Sequence, residues 1–307
     1  MLLPQATHRH PRHASGAPGH ADPHAVQVAG LAIHHVDTGA VIADGQADGH
    51  AEPIMLLPGI IATHRYFAKS IAPLAHRFRV VAPDLPGFGR SDKPDAPYSI
   101  DWFADVVAAL LDAKKIERAH VVGNSLGGQI AMAMALRHPT RIARLVLVAP
   151  SGIGTRWLAP ARPFIDGIER VVPRLAALRG VSREPAARFM GLVFRHTFPG
   201  RPDLAARYLR GYRRAIESEE YPKYLRALLR SVEGCLARPL LDEARRIPHE
   251  TLILWGRRDR IVPCASASLL QRNMPRARLL VYEGSGHVPM EDDPERFNRD
   301  VLAFLGA

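Results

Sequence analysis

The segment AHVVGNSLGGQIAMAMALRHP, residues 119–139, constrains the fold more than any other part of the chain. It opens as an apolar run of strand character and closes as a stretch that is apolar nearly all round a helix. Strands of a parallel sheet covered on both faces read as such runs, and a helix apolar on every side must itself be buried. Between them stands Gly123-Asn124-Ser125-Leu126-Gly127, of the form G-x-S-x-G. A residue at the tip of so sharp a corner takes an unfavourable backbone conformation, and the chain passes so close that β-carbons at 123 and 127 would collide. Gly128 adds room where the helix leaves the strand. The corner is expected to hold the Ser125 hydroxyl above the sheet, at the positive end of a helix. The pentapeptide alone is a weak signal, and its place at a strand-to-helix junction gives it force.

The same alternation runs through most of the chain. VQVAGLAIHHVDTG reads as a hairpin turning near Ala29-Gly30. PIMLLPG, FRVVAPD, AHVVGN, IARLVLVAP, ETLILWG and ARLLVYEG read as strands, separated by helical patterns, one of which opens at Ser99 as N-cap. Such alternation specifies an α/β fold with a mostly parallel twisted sheet and helices on both faces. It stops between Ser151 and Pro248, where four successive stretches carry only helical patterning. The expected organisation is a His/Pro-rich flexible tail over 1–25, a core over 26–150, a helical cap over 151–248 inserted before the last two strands, and a second core part over 249–307. Ligands bind at the carboxyl edge of open α/β sheets, where such a cap would sit.

Charge is uneven. Residues 151–248 hold 19 Lys and Arg against 10 Asp and Glu, so they carry +9 of the net +11. A concentrated basic segment suits an anionic small substrate; its alternative is an arginine-rich solvated face whose stems cover apolar surface. No aromatic-interleaved basic motif points to nucleic acid. No run reaches the length of a transmembrane helix, the first residues lack a secretory apolar core, and the two cysteines, Cys235 and Cys264, form no disulfide framework. These features set the expectation of a cytoplasmic protein. The five histidines between His8 and His24 have no fixed ligand spacing, so neither a metal nor an organic cofactor is expected.

A serine hydroxyl needs a base, and the base an orienting acid. Asp259 follows the strand TLILWG, and His287 follows ARLLVYEG. The order Ser125, Asp259, His287 is that of a nucleophile-elbow hydrolase. Asp259 would hold the His287 ring, and His287 would take the Ser125 proton and return it to the leaving group.

With LLPGII, VVAPDLPGFGRSDKP, VVGNSLGGQIAMAMALRHPTRIARLVLVAPSG, LILWGRRDRIVP and EGSGHVPMEDDPERFN, the chain resembles the serine hydrolases of the α/β-hydrolase superfamily from about residue 26 to its end, the cap excepted. The resemblance implies an oxyanion hole from the N–H groups of Leu126 and Ile60, with Ile61 the alternate for the second. The family's usual His-Gly pair is here Pro58-Gly59, and proline offers no N–H. Ile61, His64, Trp157 and Val288 are candidate pocket residues; His64 has the alternative of a surface loop histidine, and Trp157 of cap core. Asp84 starts a loop that the family uses mainly for structure. A serine at the elbow argues against epoxide hydrolases and dehalogenases, which use aspartate there. Hydrolysis of a carboxylic ester, thioester or lactone leads. The stretch around Ser125 also resembles the carbon–carbon bond hydrolases of aromatic degradation, although Val288 stands where those usually have tryptophan. A third reading, from a different class, is a ligand receptor or scaffold with a retained triad.

Overall fold

The computed structural model describes residues 24–39, 42–43, 46–47, 53–153 and 183–306. Of the tail expected over 1–25, residues 1–23 lie outside these residues, as do Trp157 and the rest of 154–182, while Ala25 already belongs to the first strand. The hairpin is as read: β1 (Ala25–Val28) and β2 (Leu31–Asp37) turn at Ala29 and Gly30, with φ of 49° and 81°. Positive φ at both central residues is what a tight hairpin turn asks for. A short ladder joins β3 (Ile42–Ala43) to β4 (Gln46–Ala47).

The alternating part follows as β5 (Ile54–Leu57), α1 (Ala68–Ala75), β6 (Val80–Pro83), α2 (Ile100–Ala113), β7 (Ala119–Asn124), α3 (Leu126–Arg137) and β8 (Ile142–Val148). Ser99 caps α2, its Oγ accepting the Trp102 N–H at 3.2 Å. Among the described residues, three α-helices precede the next strand: α4 (Glu184–Thr197), α5 (Pro202–Glu217) and α6 (Tyr221–Ala237). Then come β9 (Thr251–Gly256), α7 (Ala265–Asn273), β10 (Ala277–Tyr282), α8 (Pro289–Asp292) and α9 (Pro294–Leu305).

The main sheet has the order β1-β2-β6-β5-β7-β8-β9-β10. β1 and β2 are antiparallel, β2 pairs antiparallel with β6, and all later pairings are parallel. Helices cover both sides, so β5, β7 and β9 are buried along their whole lengths. α3 is buried from Leu126 through Ala135, as its all-round apolar sequence requires. The chain leaves β5 for a neighbour on one side and β7 for a neighbour on the other. That reversal makes the β5/β7 carboxyl ends the topological switch point, where α/β sheets open a ligand crevice.

The helices before β9 are bound to this frame by named contacts. Tyr208 of α5 lies edge-on to Tyr66 at 4.6 Å and stacks on Phe198 at 5.1 Å. Its hydroxyl donates to Glu291 at 2.7 Å, and Arg207 and Lys69 pair with the same fully buried carboxylate. A buried carboxylate without such partners would cost several kcal/mol, of order 3–5. At the far end Gln129 of α3 donates to the carbonyls of Cys235 and Arg238 and accepts from Ser151 Oγ. One amide thus ties the exit of β8 to the end of α6. Among the described residues no helix is long and apolar enough to cross a membrane.

Candidate active site

Ser125 sits between β7 and α3 at φ 55° and ψ −117°. An L-residue enters this region only where its surroundings over-determine it, and here they do. Its N–H donates to Val148 O at 2.9 Å, while its carbonyl accepts from Gln129 and Ser151. The glycines are explained by distance. A β-carbon on Gly123 would lie 2.3 Å from Gly127 O, and one on Gly127 2.2 Å from Leu57 O. One on Gly128 would lie 2.8 Å from Pro150 Cβ.

The loop after β5 lies against the serine: a β-carbon on Gly59 would be 3.2 Å from Ser125 Cβ. Ile61 in this loop has φ 58°, an outlier for a β-branched residue. Two strained residues therefore belong to adjoining segments at the switch point, with Ile60 between Gly59 and Ile61. Leu126 is the first residue of α3, where an N–H has no acceptor within its own helix.

Asp259 and His287 come from the loops after β9 and β10 and meet directly. His287 Nδ1 donates to Asp259 Oδ2 at 2.7 Å. The other oxygen, Oδ1, accepts the N–H groups of Ile261 and Val262 at 2.8 and 3.0 Å. The carboxylate is thereby oriented from both sides, and the ring carries its proton on Nδ1, leaving Nε2 as an acceptor. Ser125, Asp259 and His287 are 7%, 7% and 5% exposed. Asn124, between Gly123 and Ser125, donates from Nδ2 to His287 O at 3.1 Å and to Val148 O at 3.2 Å. The serine corner and the histidine loop are thus joined by one buried amide.

Further groups fix the histidine loop. His287 N–H donates to Thr197 O at the end of α4, and Gly286 N–H to Asp292 Oδ2 at 2.8 Å. A β-carbon on Gly286 would meet Pro199 Cδ at 2.4 Å, and one on Gly256 would meet Gly286 O at 2.0 Å. Burial pushes the Asp292 carboxyl up to about 6. Val288 is fully buried beside this loop.

His64 is held rather than loose. Its N–H and its Nδ1 both donate to Asp84 Oδ1, at 2.9 and 2.8 Å. Asp84 Oδ2 accepts the Arg90 N–H at 3.0 Å and lies 3.4 Å from His34 Nδ1. Burial alone would raise this carboxyl; the bonds from His34, His64 and Arg90 N–H hold it well below the usual range. Among the described residues, His34, His64 and Asp84 are the group whose ligand atoms come close enough for one ion. The carboxylate is already supplied with donors, and an Arg90 guanidinium nitrogen donates to the His34 ring at 3.3 Å. The cluster is a brace for the loop between β5 and α1. Asp84 lies in the loop expected to be structural; the brace it forms, and the contacts of Asn124, Thr197 and Asp292, are not written in the sequence. For Asn124 the one sequence signal is a polar letter at an otherwise apolar corner; its partner His287 O, and the partner of Thr197 O, are backbone groups far away in the chain.

Comparison with known proteins fits this geometry. Residues 52–294 match the model of the alpha/beta hydrolase fold family, and the chain belongs to that family. Among curated relatives, a 2-hydroxymuconate semialdehyde hydrolase of a Pseudomonas strain is 32% identical over 264 residues, covering 84% of this chain and 88% of its own. A pimeloyl-[acyl-carrier protein] methyl ester esterase of Aeromonas hydrophila is 32% identical over 263 residues, covering 84% and 97%. Among solved structures, a meta-cleavage product hydrolase of Pseudomonas fluorescens superposes with a TM-score of 0.71 at 26% identity, covering 92% of this chain and 97% of that one. The chain is a hydrolase of this fold.

Proposed function

We propose that the chain is a serine hydrolase that cleaves a carboxylic ester, or a thioester or lactone, of a small to medium substrate. The observation that carries this reading is the strained Ser125 at the switch point, joined through Asn124 to a histidine already oriented by Asp259. Ser125 Oγ attacks the carbonyl carbon while His287 Nε2 takes its proton. Charge then builds on the carbonyl oxygen, which the N–H groups of Leu126 and Ile60 would receive. Collapse breaks the bond to the leaving group, which departs with the proton from His287. Water, deprotonated by the same ring, clears the acyl group and restores the serine. Asp259 stabilises the imidazolium in both halves. The segment 151–248 acts as the cap, with Ile61, His64, Trp157 and Val288 offered as pocket residues, and its basic surplus favours an anionic acyl or alcohol group. The curated ester esterase supports this class.

A second reading is carbon–carbon cleavage of a vinylogous diketone, favoured by the similarity to a meta-cleavage product hydrolase. A panel of p-nitrophenyl esters, lactones, thioesters and such a diketone separates the two. Ser125→Ala is expected to keep the thermal transition and to lose ester turnover by several orders of magnitude, on the order of 10⁴-fold or more. A fluorophosphonate probe should label the wild type at Ser125 and leave the variant unlabelled. Wild-type turnover in the variant would remove Ser125 from the chemistry. A probe-inert protein that is nonetheless stabilised by a small ligand would make it a receptor.

A further inference from the structure

One groove among the described residues lies away from the serine. It has a volume of about 470 Å³ and opens at the opposite edge of the sheet, where β7, β8, β9 and β10 begin. Arg118 stands just before β7, Thr140 just before β8 and Arg144 at its start, His249 and Glu250 before β9, and Arg276 before β10. The six-residue strand β9 separates it from the Asp259 loop; at about 3.3 Å per residue that is about 20 Å. The groove is a separate place, not an arm of the candidate active site.

Its chemistry is one-sided. Three guanidinium groups and an imidazole face a single carboxylate, Glu250, which pairs with Arg144 at 3.2 Å. Arg144 also caps the end of α9, donating to the carbonyls of Phe304 and Leu305, and Arg276 donates to Pro248 O. These bonds fix where the guanidinium planes stand while using part of their donors; each carries five N–H groups. His249 donates from Nε2 to Pro139 O at 2.9 Å, and its Nδ1 is buried with no partner. Burial lowers the pKa of this ring, and the charge of Arg118 lowers it further, a local mark of the positive field. Arginine forks placed round a concavity match phosphoryl oxygens in geometry and charge. The volume exceeds what one phosphate needs and lies in the range of small-molecule sites.

We infer that this groove, formed by Arg118, Arg144, Arg276, His249 and Thr140, is a binding site for a phosphorylated small molecule, remote from the serine. Arg144 is held by α9 and Glu250, so the charges of Arg118 and Arg276 are the ones the test varies.

The test uses the full chain and isothermal titration at pH 8 with inorganic pyrophosphate, ADP and adenosine, the last as a neutral control. Pyrophosphate and ADP are expected to bind with one dominant site and adenosine not to bind. Arg118→Gln with Arg276→Gln should weaken both anions by about tenfold or more, since two charge-assisted contacts are lost. Arg210→Gln with Arg214→Gln, on α5, should leave binding unchanged. ADP tighter than pyrophosphate assigns the groove to nucleotides; equal affinities assign it to the phosphoryl groups alone. If the double variant lacks a native circular-dichroism spectrum, the single Arg276→Gln carries the comparison. Equal binding by wild type and groove variants, or no binding by either anion, overturns the inference.

Discussion

At Asp292 a carboxylate is buried beside the histidine loop, where it accepts the Gly286 N–H. Its pKa of about 6 in the fold lies above the 3.8 of an unstructured chain, chiefly through burial. The fold therefore prefers the protonated form, and the ionised form opposes folding. That opposition is fully present above about pH 6, fades as pH falls, and is gone below about pH 4. Asp292→Asn keeps an acceptor for Gly286 without the charge. Urea unfolding should find it more stable than wild type at pH 8, by on the order of 2 kcal/mol, and equal to it near pH 4. A variant less stable at pH 8 would show that the charge itself is needed there. Ser125, Asp259 and His287 were legible because their positions after strands follow from the topology. Asn124 and Asp84 were not legible as couplers, because they act through backbone groups of segments that only the fold brings near.

Among elements, the strand-corner-helix unit from β7 to α3 was the most readable, since steric necessity writes itself into glycines. Gly127→Ala would drive a β-carbon to 2.2 Å from the Leu57 carbonyl, which is backbone and cannot swing away. Thermal melts should show a loss of about 3 kcal/mol or more, or no folded protein. Gly211→Ala, in α5 with nothing within 4 Å, serves as control. It should be neutral or stabilise by up to about 1 kcal/mol, because alanine is the better helix former. Equal losses in the two would mean that the corner tolerates a methyl group. The helices before β9 were legible as helices from their periodicity, yet their docking was not. It depends on Tyr208, Arg207 and Gln129 meeting partners from distant segments.

For the whole molecule, the basic surplus over 151–248 is smaller in effect than in count. Arg226 and Arg230 pair with Asp95, Arg238 with Asp101 and Glu243, and Arg213 with Glu184. Of these acids Asp95 and Asp101 lie outside the segment and so neutralise part of its surplus, which no local count could reveal; Glu184 and Glu243 belong to the segment and are already in the count. If the remainder steers substrate, kcat/KM for an anionic ester should fall several-fold between about 20 and about 500 mM NaCl while a neutral ester stays level. Parallel salt responses would reduce the surplus to a solvated face. The contact of Thr197 and Pro199 with Gly286 and His287 reaches further than packing. It makes the end of α4 and the histidine loop a single part: a chimera taking α4 from a relative would have to import residues 197–199 and 286–287 together, and one splicing only the helix would assemble the scaffold while misplacing His287.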